Sequence, residues 1–217
     1  MRAQPQFPNE QTGTGEFKRQ SDAFRHWVTE DGRSGYPAAA GRYHLYVSLA
    51  CPWAHRTIIV RALKGLTEVI GMTVVDPIRD DQGWAFHNGP GHSLDTTNGF
   101  HFLSEAYRAT DPNYHGRVTV PALRDTATQR IVTNSDDDLM RIFNGEFNRF
   151  TTSRLDLYPA ALRPQIDEMN DFVYERVNDG VYRAGFATSQ QVYERAARAV
   201  FVALDQLDTR LRDRRYL

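Results

Sequence analysis

One junction in this sequence constrains the fold more than any other feature. Residues 42–49 (RYHLYVSL) alternate apolar and polar side chains and are rich in β-branched and aromatic types, which predicts a strand. Cys51-Pro52 follows almost at once. Residues 54–66 (AHRTIIVRALKGL) then have helical spacing that stops at Lys64-Gly65. Residues 69–75 read as a second strand. The polar, Gly-rich stretch 77–99 resists assignment, and connections of that length are often functional. Residues 102–108 form a short helix candidate. Residues 117–124 (RVTVPALR) and 131–133 read as two further strands joined by the polar DTATQ, and residues 136–147 as a helix.

The order β-α-β, connection, β-β-α outlines an α/β thioredoxin-like domain over residues 41–147. Residues 1–40, rich in Gly, Pro, Gln and charge, read as an irregular N-terminal extension with room for a short helix at 21–29. From residue 148 the signals are helical. Residues 159–178 carry Leu162, Ile166, Met169, Val173 and Val177 on one face, and residues 189–211 carry Ala196, Val200, Leu204, Leu207 and Leu211 on another. Residues 148–217 are therefore expected to be the start of an all-α domain. The length leaves room for about two helices there. An apolar face that reaches the last residues, RRYL, creates the expectation of an incomplete domain and a truncated chain.

Composition narrows the function classes. A formal net charge of −1 lacks the basic excess that nucleic acid or an anionic membrane needs as main partner. No apolar run approaches a membrane span, and the first residues, MRAQPQFPNEQTGTGEFKRQ, contain no apolar stretch suited to a signal peptide, so the expected address is the cytoplasm. The single cysteine, Cys51, excludes an internal disulfide. Three roles remain for it: a buried inert thiol, a metal ligand or a reactive thiol.

Position favours the reactive thiol. A Cys between a strand and a helix sits at the helix N-terminus, where unpaired backbone N–H groups and the positive dipole end stabilise thiolate over thiol. Pro at the first helical position is tolerated, and Arg56 is placed to add positive field. A dithiol enzyme needs C-x-x-C, whereas here the run is CPWA with Ala54 in the resolving place. An external thiol must resolve any mixed disulfide, and glutathione is the abundant candidate. Val120-Pro121 has two readings, an ordinary edge-strand proline or a cis-proline facing the cysteine and offering backbone groups to a peptide-like ligand. The seven histidines show no metal-ligand spacing, so no metal is expected. His55 reads as a packing or solvated residue, Tyr43 and Tyr46 as core, and Asp136, Asp137 and Asp138 as the first turn of a helix.

Four segments carry a family resemblance: YVSLACPWAHRTIIVRALKGL, VVDPIRDDQGWAF, NGFHFLSEAYRATDPNYHGRVTVPAL and NDGVYRAGFA. They resemble the glutathionyl-hydroquinone reductases, also called xi-class glutathione transferases, and the likeness runs from about Tyr36 onward. The family joins a thioredoxin-like domain to an all-helical domain, forms homodimers and reduces glutathionyl-hydroquinones to hydroquinones with glutathione. The resemblance implies Cys51 as nucleophile, Trp84 packed on glutathione, Arg117 paired with one of its carboxylates, and Val120 holding its backbone. It implies Tyr182 as a contact of the hydroquinone. The family's Glu-Ser, which holds the γ-glutamyl end, is replaced by Ser135-Asp136. These two can still present a helix N-terminus and a carboxylate, or simply cap the helix. The family also continues past this chain's last residue with helices that add a Tyr and a His to the quinol pocket. A conjugating transferase and an inactive glutathione-binding fragment are the rival readings.

Overall fold

In a computed structural model of the chain, residues 8–217 are described. Contact density divides them into two compact units. One is Asp22–Leu157, and the other joins residues 8–21 to Tyr158–Leu217.

The first unit is built on a four-stranded sheet in the order β2-β1-β3-β4. Its elements in chain order are β1 (Tyr43–Val47), α1 (Pro52–Leu63), β2 (Gly71–Val74), α2 (Leu103–Thr110), β3 (Ala122–Asp125), β4 (Arg130–Thr133) and α3 (Asp136–Gly145). β1 pairs parallel with β2, Leu45 opposite Met72, and antiparallel with β3, Leu45 opposite Leu123. β4 runs antiparallel to β3 across an irregularity at Leu123/Arg124. Every residue of β1 is buried, as a central strand covered on both faces requires. Leu45, Leu123 and Ile131 are wholly excluded from solvent, each worth about 1.5–3 kcal/mol relative to exposure. α1 packs along α3, and α2 packs on β4, where Thr110 Oγ1 accepts from Ile131 N at 2.7 Å. This is the expected thioredoxin-like layout.

Three details differ from the sequence reading. Residues 21–29 form no helix; they run extended beside the edge strand β4, with His26 N donating to Val132 O at 3.0 Å and Asn134 N to Phe24 O at 3.1 Å. An edge strand offers unpaired backbone groups, and pairing with them outweighs the weak helical pattern. The expected extension 1–40 is thus divided: Val28 and Ala38 are wholly buried in the core of the sheet unit, while residues 8–21 belong with the C-terminal helices. Residues 117–121 are not strand, since the Val120–Pro121 peptide is cis and β3 begins only at Ala122.

The long stretch 77–99 has no regular structure, yet polar groups tie it to the sheet. Tyr46 OH donates to Asp95 Oδ2 at 3.0 Å, Asn98 Nδ2 donates to Tyr46 OH at 2.6 Å, and buried Arg124 bonds Asn98 Oδ1. Buried polar groups need such partners.

The second unit contains α4 (Arg163–Val173), a π-helical segment (Tyr174–Asn178), α5 (Asp179–Gly185) and α6 (Gln190–Leu211). Helical structure is continuous from α4 through α5, beyond the single helix expected at 159–178. Ser189 caps α6 by accepting from Val192 N at 3.4 Å. The N-terminal segment docks on these helices: Thr188 N donates to Gly15 O at 3.0 Å, Gln11 Nε2 to Phe186 O at 2.9 Å, and Glu16 pairs with Arg195. No helix among the described residues is long and apolar enough to cross a membrane.

Candidate active site

Cys51 lies where β1 hands over to α1. Its N–H donates to Ser48 O at 3.1 Å, and Ser48 Oγ accepts from Ala50 N at 3.2 Å, closing the turn. Cys51 keeps an extended backbone (φ −105°, ψ 113°) as the N-cap of α1, with Pro52 as the first helical residue. Its carbonyl accepts the first helical bond, from His55 N at 3.0 Å. The N–H groups of that first turn have no acceptor within the helix, so the end beside the sulfur is electropositive. The half-buried thiol faces the Val120 carbonyl, Sγ to O 3.5 Å. Of the two readings of Pro121, the cis one holds, and it places Val120 against the cysteine.

Arg56, one turn into α1, does more than add charge. Its guanidinium lies 5.9 Å from the Trp53 ring and is ion-paired with Asp136, the first residue of α3. Asp136 is buried, and loss of hydration pushes its carboxyl above the ordinary range while Arg56 pulls it back. Ser135 is the N-cap of α3, accepting from Asp138 N at 3.4 Å. Asp138 is held by Arg25 at 2.6 and 2.8 Å, and Asp137 pairs with Arg141 at 3.3 Å. Three consecutive carboxylates at one helix start are thus each matched by an arginine. Sequence reasoning found the acidic turn but not these partners, since only the packing of α1 on α3 brings Arg56 to Asp136.

The remaining candidates stand as follows. Trp84 is half-buried in the long connection, its carbonyl accepting from Leu103 N at 2.9 Å and its ring 5.2 Å from the Arg79 guanidinium. Arg117 is half-buried in the irregular stretch before the cis-proline, with its carbonyl accepting from Tyr114 OH at 2.7 Å. Tyr182 is on α5 in the helical unit, among Phe17 (6.1 Å), Phe186 (5.5 Å) and the Arg19 guanidinium (5.4 Å). Cys51 and Val120 are in direct contact, and Arg56 links Asp136 to the cysteine's helix. Tyr43 and Tyr46 are core residues whose hydroxyls donate to Pro37 O and Asp95; burial raises both phenols. His55 is exposed. Among the described residues no three His, Cys, Asp or Glu side chains are grouped to hold a metal.

Comparison with known proteins agrees with this architecture. Residues 50–139 match the glutathione S-transferase N-terminal domain family. The glutathionyl-hydroquinone reductase YqjG of Escherichia coli strain K12 is 47% identical over 210 residues, covering 94% of this chain and 64% of the relative. The glutathionyl-hydroquinone reductase PcpF of Sphingobium chlorophenolicum is 43% identical, again over 64% of its length, so the chain spans under two thirds of these curated relatives. The glutathione-bound structure of YqjG superposes with a TM-score of 0.86 at 47% identity, over 89% of this chain and 66% of that one. The xi glutathione transferase of Phanerochaete chrysosporium superposes with a TM-score of 0.89 at 45% identity, over 93% of this chain and 69% of that one. A strand–Cys-Pro–helix junction facing a cis-proline, and this likeness over most of a xi-class structure, make the chain a member of the xi class of the glutathione transferases.

Proposed function

We propose that this chain carries the thiol site of a glutathione-dependent reductase of glutathionyl-hydroquinones. The observation that carries the reading is Cys51 at the N-terminus of α1, facing the Val120 carbonyl, with Ala54 where a dithiol enzyme has its second cysteine. The Cys51 thiolate attacks the sulfur of the glutathionyl thioether. The sulfur–carbon bond breaks, and the ring carbon leaves with the electron pair and takes up a proton, giving the hydroquinone. Glutathione remains on Cys51 as a mixed disulfide. A second glutathione thiolate attacks that disulfide, releasing glutathione disulfide and the Cys51 thiolate. Two glutathionyl sulfurs are oxidised to the disulfide, and one carbon is reduced.

In this reading residues 41–147 are the glutathione-binding domain and residues from 148 begin the helical domain. Trp84 packs on the tripeptide, Arg117 takes a carboxylate as a guanidinium fork does, and Val120 pairs with the backbone. Ser135 and Asp136 hold the γ-glutamyl end, and Tyr182 meets the quinol. Glutathione is a co-substrate, no metal takes part, the assembly is a homodimer, and the compartment is the glutathione-rich cytoplasm. The names of the E. coli and Sphingobium relatives and the glutathione bound to the former support the choice of substrate class. A conjugating transferase would need a hydroxyl to activate the thiol of glutathione. The hydroxyls of Tyr43 and Tyr46 are engaged elsewhere, which favours Cys51.

The test is chemical. Incubated with glutathione disulfide, the wild-type protein should gain the mass of one glutathione, and Cys51→Ser should gain none. A wild-type Cys51 that stays unmodified would falsify the reading.

A further inference from the structure

We propose that Arg56 is a positioning residue for glutathione: fixed between the Trp53 ring and Asp136, it holds the Asp136 carboxylate as the anchor for the ammonium of the γ-glutamyl group. The proposal rests on the reading of Cys51 as a glutathione-linked nucleophile and assigns a role to a residue that reading does not use.

Three observations carry it. First, Arg56 is restrained on two sides. Its guanidinium lies 5.9 Å from the Trp53 ring, and Trp53 is itself buried in the first turn of α1. Second, its partner is the first residue of α3, beside the N-cap Ser135, where backbone N–H groups favour an anionic group such as the γ-glutamyl carboxylate. An amino acid's ammonium sits one carbon from its carboxylate, so a carboxylate at the same helix start is suitably placed to receive it. Third, the other acidic side chains of that turn are engaged. Asp138 is held by the Arg25 fork at 2.6 and 2.8 Å, and Asp137 pairs with Arg141. Arg56 bonds Asp136 through Oδ2, and a carboxylate can accept further donors on both oxygens.

The electrostatics explain why an arginine is needed. Asp136 is buried, and lost hydration together with neighbouring Asp137 raises its pKa. Arg56 on α1 is the cation acting directly on it; Arg141 pairs with Asp137 one residue along, and Arg25 with Asp138 two residues along. Without Arg56 the carboxyl takes up a proton more readily, and a neutral carboxyl is a poor anchor for ammonium.

The experiment compares two non-reacting probes by calorimetry. One is S-methylglutathione. The other is its glutaryl analogue, glutaryl-S-methyl-Cys-Gly, which keeps the carboxylate and lacks only the amino group. Wild type should bind the first roughly tenfold more tightly, the factor for about 1.4 kcal/mol. In Arg56→Gln and in Asp136→Asn that ratio should fall towards one, the double variant should lose no more than either alone, and Arg56→Lys should restore most of it. The Arg56→Gln loss should also deepen as pH falls from 8 towards 5. An undiminished ratio in Arg56→Gln overturns the proposal. So does a shift in the pH profile of Cys51 alkylation with the ratio intact, which would assign Arg56 to the sulfur. A wild-type ratio of one, with glutathione still added to Cys51, overturns this proposal alone. Failure of both adduct and binding overturns the reading beneath it as well.

Discussion

His44, the second residue of β1, shows how one buried side chain ties stability to pH. Its Nε2 is 2.7 Å from Thr73 Oγ1 on β2 and its Nδ1 3.3 Å from Thr97 Oγ1 in the long connection. Burial lowers its pKa first. Asp95 opposes that shift, and Arg61 and Arg124 add to it. The folded state therefore refuses a proton that the unfolded chain accepts near the ordinary histidine value of about 6.5. The unfolded state binds more protons in that window, so stability is full above it and falls as pH drops through it. The urea midpoint should be lower at pH 5 than at pH 7.5, and His44→Asn should flatten the difference; an equal drop in that variant would remove His44 as the cause. The same scale shows what the sequence could and could not reveal. Cys51 was legible because a helix N-terminus and an absent second thiol are local facts. The Arg56–Asp136 pair was not, because its partners are 80 residues apart and meet only when α1 packs on α3.

Among the elements, α5 and α6 approach closely at Gly180, where a single added atom would disturb the packing. A Cβ on Gly180 would sit 2.9 Å from Val200 Cγ2, a contact that a real Cβ essentially never makes. Gly180→Ala gains helix propensity but must push α6 away. The expected net loss is about 1–3 kcal/mol, as for overpacked cores, read as a lower thermal midpoint; a raised midpoint would show that α6 yields freely. Element by element, the strong periodicities were readable: β1, β2, α3 and α6 fall within their expected spans, and α1 begins at Pro52, just before its expected start at residue 54. The misread elements have tertiary causes. Residues 21–29 form no helix because β4 offers an edge to pair with, and β3 starts late because Pro121 turns the chain before it. The π-helical segment between α4 and α5 had no signal that local spacing could carry.

At the scale of the molecule the two units differ in how much apolar surface they bury. The sheet unit holds nearly all of the buried hydrophobic residues, whereas the helical unit contributes Phe17, Val192, Val200 and Ala203 and leaves Phe201 67% and Val202 51% exposed. A patch of that kind binds hydrophobic dyes. This 217-residue polypeptide should therefore enhance the fluorescence of an anilinonaphthalene dye, and Phe201→Glu should reduce the signal by more than Ile78→Glu, a change on the sheet unit; equal reductions would place the dye elsewhere. The helical unit is also discontinuous, since Gly15, Gln11 and Phe17 dock on residues that follow the whole sheet unit in sequence. That has a consequence for synthesis on the ribosome. Chains emerge from their N-terminus, so residues 8–21 leave the exit tunnel well before Thr188 and Phe186 exist to receive them. Residues 22–157 can close their core in the interval, and residues 8–21, though made earlier, are among the last to find their place.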